Sequence, residues 1–261
     1  MAALDVVKYE RDARGVARIA INRPDVRNAW NPEVVAALHD AVNEASEDGA
    51  VRAVVLTGEG GSFSAGGDLR WMRGILDQSS EQRRQDALRI GRMLNAIDAC
   101  PKPTIARVNG AAIGGGVGLV CACDVAVADP DALFGLSEVR LGIVPAMISP
   151  FVVRRVGVSQ ARANFMVGRD PIRASEALAL GLVHRVAEPD RLDDAVEDEV
   201  STIIGAAPGA VAETKRLFRA VAALLGEEAS VLAAESLVAT WEGNEARRGL
   251  SAFLEKRKVV W

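Results

Sequence analysis

The stretch VNGAAIGGGVGLVCACD, residues 108–124, places five glycines between Gly110 and Gly118 in an otherwise apolar run. It follows a strand-like segment, TIARVN (104–109), and precedes another, DVAVA (124–128). The pattern predicts a strand, a glycine-rich helix and a second strand. A helix that begins on glycines exposes backbone N–H groups with no acceptor inside the helix, and the missing side chains let a ligand oxygen come close. Such donors can cradle a phosphate at the positive end of the helix or hold the charge of a developing enolate. Close packing against a neighbouring segment is a third reading. The phosphate reading fits poorly, because dinucleotide-binding glycines follow a first strand and precede an acidic residue about 20 positions on. Here several strands come first and the order is G-x-x-x-G-G-G-x-G.

Strands and helices alternate on either side. DVVKYE (5–10) and VARIAIN (16–22) predict two strands joined by the polar turn RDARG. Asn31 followed by Pro32 is a helix start, and Val34, Val35, Leu38, Ala41, Val42 and Ala45 form its apolar stripe. VRAVVLTG (51–58) is the next strand, and GEGGSFSAGGD (58–68) is expected to be an irregular loop. A helix is expected from Ser80 to Cys100, ended by PKP, and loops from Leu141 to Pro171 around a short helix at 151–156. Beyond about Asp190 only helices are expected. The alternation predicts an α/β fold with crossover connections, and the helical last third is expected to form its own packing unit.

With 49% hydrophobic and 25% charged residues, the 261-residue chain has the balance of a soluble globular protein. Its net charge of -4 offers no general basic field for nucleic acid. The start lacks an export signal, and the longest apolar run, 111–123, falls short of the roughly 20 residues of a membrane helix, so no membrane segment and a cytoplasmic location are expected. Cys121 and Cys123 lack companion ligands, which argues for buried thiols and no metal site. His39 and His184 accompany no nucleophile pattern and read as structural.

A second glycine-rich loop, FSAGGD (63–68), could bring a second backbone donor to the same oxygen. FSAGGDL, VNGAAIGGGVGL, CDVAVAD and FGLSEVRLGIVP, in that order, resemble the crotonase superfamily, the enoyl-CoA hydratases and isomerases. The resemblance runs from NRPDVRNAW (22–30) to GLSAFLEKRK (249–258). It implies a crotonase-like spiral of strand-strand-helix units over residues 1–190 with an acyl-CoA site, and a C-terminal helical oligomerisation region over 191–261. Homotrimers or dimers of trimers are implied with it. The implied oxyanion donors are the N–H groups of Gly67 and Gly115. The resemblance further implies that backbone at Ser64, Ala65 and Gly66 receives the adenine, that Arg27 and Lys256 or Lys258 meet the coenzyme A phosphates, and that Gly114 and Gly118 belong to the substrate-binding stretch. Coenzyme A enters as part of the substrate, and no separate cofactor is implied.

Hydratases of the family use two glutamates. Glu138 matches one; Gly118 stands where the other would be. Hydration requires activation of water and protonation of the α carbon, tasks that two carboxylates can share, whereas moving a double bond needs one proton shuttle. The segment LSEVRLGIVPAMISPFVVRRVG, the WM after GGDL and the ending GLSAFLEKRKVVW resemble bacterial hydratases of branched, carboxylated enoyl-CoAs, the methylglutaconyl-CoA and isohexenylglutaconyl-CoA types. The expectation is therefore a hydratase of a short or branched, possibly carboxylated enoyl-CoA, with Glu138 as acid/base. The alternatives are a one-glutamate isomerase and a non-catalytic acyl-CoA-binding protein. A glutamate restored at 118 tests whether only a carboxylate is missing. Arg140 and Arg154 are candidates for a substrate carboxylate, with surface ion pairs as the other reading. Trp71 is either an acyl-pocket wall or a core residue. Asp68 and Asp124 read as capping or turn-fixing groups.

Overall fold

The computed structural model describes residues 6–222, 224, 226–259 and 261. β1 (Val7–Arg11) and β2 (Val16–Ile21) form the expected hairpin, antiparallel with Val7 opposite Ile21. α1 (Pro32–Glu47) starts where Asn31 caps it, the side-chain oxygen accepting from Val34 N at 2.9 Å. The residues α1 buries are those of the apolar stripe. Burial of Val34, Val35, Leu38 and Val42 contributes about 1.5–3 kcal/mol each.

The remaining elements follow as β3 (Ala53–Gly58), β4 (Ser62–Ser64), α2 (Leu69–Ile75), α3 (Ser80–Ala99), β5 (Thr104–Val108), β6 (Ala111–Ile113) and α4 (Gly115–Ala122). Then come β7 (Val125–Ala128), β8 (Leu133–Gly135), α5 (Ser149–Phe165), β9 (Ile172–Arg173), α6 (Ala174–Ala179) and β10 (Arg185–Val186). The chain closes with α7 (Leu192–Ile204), α8 (Pro208–Val221), α9 (Gly226–Glu242) and α10 (Asn244–Leu254). One sheet has the order β1-β2-β3-β5-β7-β10 and a smaller one the order β4-β6-β8-β9. From β3 to β8 each turn lays a strand in the large sheet, then a short strand in the small sheet, before the chain crosses back. That is a spiral of strand-strand-helix units.

Some expectations need correction. The loop 58–68 contains β4, three residues too short to show any alternation. The helix at 151–156 begins at Ser149 and resumes after a kink at Gly157, φ 76°, running to Phe165. β8, β9 and α6 lie in segments that showed no periodic signal.

The main core lies between the sheets and helices α1, α3 and α4, with Phe63, Phe134, Leu94 and Leu119 fully buried. A second cluster covers the other face of the large sheet, where Leu192, Ala195, Val196 and Val200 of α7 pack on Val16, Val55, Ile105 and Val127. Sheet packing thus extends past residue 190 to the end of α7. Asp124 ties α8 to the sheet: its Oδ2 accepts from Thr104 N at 2.8 Å and from Lys215 Nζ at 2.6 Å. Asp68 caps α2, accepting from Arg70 N at 2.9 Å, and pairs with Arg23 at 3.0 Å. His184 accepts from Ala126 N at 2.9 Å, a structural bond between β7 and the chain before β10. All three cysteines are buried free thiols, and burial pushes those of Cys121 and Cys123 up to about 12. No helix among the described residues is long and apolar enough to cross a membrane.

Candidate active site

β4, β6 and β8 are parallel neighbours, with Ser62 beside Ala111 and Ala112 beside Phe134. Their C-terminal ends therefore emerge side by side, the usual place for a site in parallel sheet architecture. The first end runs into Ala65–Asp68, the second into Gly114 and Gly115, and the third into Ser137 and Glu138. Three segments far apart in sequence converge for this topological reason.

The first two segments touch. A Cβ on Gly66 (φ 79°) would lie 3.0 Å from Gly115 N and 2.7 Å from Ile113 O. Gly115 is the first residue of α4, so its N–H has no helical acceptor and sits at the positive end of the helix. Around Gly67 the neighbouring groups are committed: Gly66 O accepts from Trp30 N at 2.6 Å, and Asp68 N donates to Trp30 O at 2.7 Å. Neither Gly67 N nor Gly115 N donates to a backbone acceptor among the described residues. Trp30, paired with Gly67 through a parallel bridge, presses its ring against Gly115, where an added Cβ would meet it at 2.7 Å.

Glu138 opens a 3-10 turn, Glu138–Leu141, stopped by Gly142 in the left-handed region. Its carboxylate lies against the Cα of Gly114, so close that a Cβ there would fall 2.8 Å from Glu138 Oε1. Gly114 also has φ 52° with ψ -117°, a conformation closed to other residues at ordinary cost. Glu138 Oε2 is buried without a hydrogen-bond partner among the described residues. Burial pushes the carboxyl above its usual range, opposed by the backbone N–H groups of Glu138 and Ser137.

These groups line one cavity of about 690 Å³. Its walls are apolar: Leu69, Trp71, Met72, Ile75 and Ile90 on one side, Leu141, Ile143, Val144, Met147 and Ile148 on the other. Glu138 is the one carboxylate and Arg83 the one cation among the described lining residues. Trp71 belongs to this wall. Ala65, Gly67, Gly114 and Gly115 line it too.

Other candidates lie elsewhere. Gly118 is buried within α4 and faces Ile148, not the cavity. A methyl on it would sit 2.8 Å from Ile148 Cβ, so the room a second glutamate would need is filled. Gly118→Glu is therefore expected not to add hydration activity, and to lower stability by about 3 kcal/mol or more through overpacking and a buried charge. Parallel thermal melts and turnover assays check both effects. Ser64 is fully buried, its hydroxyl donating to Asn28 O at 2.9 Å and accepting from Gly66 N at 3.2 Å; it shapes the loop from behind. Arg27 is exposed with φ 53°, and its carbonyl accepts from Ala65 N at 2.9 Å. Lys256 and Lys258 are exposed beyond α10, outside the cavity wall. Arg140 binds Gly168 O and Asp170, and Arg154 binds Asp98 and stacks on Phe151; neither lines the cavity.

Sequence reasoning passed over Trp30, Met72, Ile75, Arg83 and the run Ile143–Met147. The apolar loop LGIVPAM was a usable signal, because exposed loops seldom carry so many large apolar residues.

A spiral whose parallel strand ends present two amides without a backbone acceptor among the described residues and a half-buried glutamate fits one class of enzyme, and the chain belongs to the enoyl-CoA hydratase/isomerase family, whose profile matches residues 11–261. It is similar to the short-chain-enoyl-CoA hydratase of Clostridium acetobutylicum, 31% identical, with 98% of this chain and 97% of that protein aligned. Among solved structures it resembles Pseudomonas aeruginosa AtuE, 40% identical at a TM-score of 0.93, covering 98% of this chain and 99% of that one. It also resembles an enoyl-CoA hydratase of Mycobacterium smegmatis, 38% identical at a TM-score of 0.93, covering 98% of each chain.

Proposed function

We propose that the protein hydrates a short or branched 2-enoyl-CoA, carboxylated or not, with the N–H groups of Gly67 and Gly115 holding the thioester oxygen and Glu138 moving the proton. The observation that carries this reading is the Glu138 carboxylate, whose Oε2 is buried without a hydrogen-bond partner among the described residues, set beside Gly114 and sharing a cavity with both amides. As water oxygen bonds to C3, Glu138 takes its proton and the C=C electron pair shifts towards the thioester oxygen. The amides stabilise that enolate because they are fixed in place before charge develops. Collapse of the enolate takes the proton from Glu138 to C2, completing addition of one water. The apolar walls suit a hydrocarbon acyl chain.

The absence of a second carboxylate among the described lining residues, with Ile148 filling the space beside Gly118, favours a second reading, isomerisation by the same single shuttle. A panel of straight, branched and carboxylated enoyl-CoA esters separates the readings. Hydration removes the absorbance of the conjugated thioester, whereas isomerisation of a 3-enoyl ester creates it. Calorimetric binding with neither change would mean an acyl-CoA-binding protein without turnover.

Coenzyme A roles for Arg27 and for Lys256 or Lys258 belong to this proposal, supported by their exposure outside the apolar cavity. So do a cytoplasmic location and assembly as homotrimers or dimers of trimers. Phe218, Leu237, Val238, Trp241 and Leu254, exposed on α8 to α10, support the assembly.

A further inference from the structure

We infer that Trp30 is a positioning residue, fixing where the Gly67 and Gly115 amides stand relative to each other; the inference rests on the paired-amide reading above. The strip before α1 runs alongside the Gly67 loop and is bonded to it at nearly every step. Arg27 O accepts from Ala65 N and Asn28 O from the Ser64 hydroxyl, each at 2.9 Å. Trp30 N donates to Gly66 O at 2.6 Å, and Trp30 O accepts from Asp68 N at 2.7 Å. Arg23 locks the same junction, donating to Ala29 O at 2.6 Å and to Asp68 Oδ2 at 3.0 Å. Gly67 is thus held from both sides, while its own N–H has no backbone acceptor among the described residues.

The ring carries this frame across to α4. Cη2 and Cζ3 of Trp30 lie 2.7 Å, and Cε3 3.0 Å, from the place a Cβ on Gly115 would take. All three atoms belong to the six-membered ring, so the far edge of the indole, not its stem, bears on the donor residue. Trp30 is 2% exposed, and its Nε1 is buried with no hydrogen-bond partner among the described residues. Burying an indole N–H in that way costs free energy that phenylalanine would avoid. What phenylalanine lacks is the reach to Gly115. The residue whose peptide brackets Gly67 is therefore also the one whose side chain bears on Gly115. Donors set in place before charge develops depend on that shared contact.

The test is a double-mutant cycle on kcat, normalised to folded protein by circular dichroism. It uses a straight-chain 2-enoyl-CoA and a 3-enoyl-CoA, because hydration and isomerisation would use the same amides. Gly115→Ala is expected to lower kcat about 10- to 100-fold, since its methyl and the indole compete for one space. Trp30→Leu is expected to lower kcat by a similar factor, about 10- to 100-fold, while the Kd of the unreactive saturated ester butanoyl-CoA changes less than about threefold. Trp30→Phe, which keeps part of the ring, should fall between leucine and wild type, and it replaces leucine throughout the cycle should that variant fold poorly. The double variant Trp30→Leu/Gly115→Ala is expected to regain about 10-fold over Gly115→Ala alone, the methyl taking the room the ring has left. An unchanged kcat in the Trp30 variants, losses that multiply in the double variant, or a defect confined to butanoyl-CoA binding would reduce Trp30 to a core or pocket-wall residue. Each of these would overturn the inference and leave the functional reading standing. A wild type inactive on both esters would remove that reading and the inference together.

Discussion

Glu138→Gln is expected to lower the hydration rate by about 10²- to 10⁴-fold, the range over which a positioned acid/base group acts. The variant should stay folded, because glutamine matches the shape of the side chain while ending the need to bury an unpaired charge. The linkage has a definite sign. Burial raises the folded-state pKa of Glu138 above its ordinary value, so the folded chain holds this proton more tightly than the unfolded chain. Its contribution to stability is complete below the ordinary glutamate pKa and lost as pH rises through the raised folded value. The melting temperature of Glu138→Gln should therefore match or exceed that of wild type at neutral pH, with the gap opening as pH increases from the carboxylate range. Wild-type turnover needs the ionised form, so its acidic limb should lie above the usual range for a glutamate. Turnover, melts and a pH–rate profile check these outcomes. A variant that hydrates at near wild-type rate would displace Glu138 from the chemistry.

Gly114→Ala should lower turnover by about 10²-fold or more although it touches no functional side-chain atom by deletion. A methyl at Gly114 would fall 2.8 Å from Glu138 Oε1, so the carboxylate must swing away from the strand ends. Misplacement of about 1 Å can cost this much in rate. The same change forces alanine into φ 52°, ψ -117°, which adds strain of about 1–3 kcal/mol. Stability should fall measurably, yet a folded fraction at low temperature should still show the rate defect per folded molecule. Assays normalised by circular dichroism distinguish the two; a rate loss no larger than the folded-fraction loss would count against the placement of Glu138.

The strands and helices with a long period could be read from the sequence because their physics is local. Asn31 and the stripe from Val34 to Ala45 announce α1, and the RDARG turn between two alternating runs announces the first hairpin. The small sheet left no such mark. β4, β6 and β8 have three residues each, fewer than the alternation of a strand needs to show, and they exist because parallel neighbours pair with them. Glu138, Gly67 and Gly115 were accessible through the resemblance of their motifs. Their convergence depends on strand order, which no local window contains. Gly118 and Ile148 illustrate the same limit. Thirty residues separate them in the chain, and the sequence shows an absent carboxylate without showing what occupies its room. Arg140 and Arg154 stood close to Glu138 in sequence yet bind Asp170 and Asp98, whereas Arg83, more remote in sequence, lines the cavity.

Trp30 joins Gly67 through its backbone and meets Gly115 with its ring. The spacing between the two donors is then gauged by one rigid indole rather than by two loops free to drift. The anion site proposed for these amides, made of bare peptide, would thereby acquire the tolerance of an aromatic spacer.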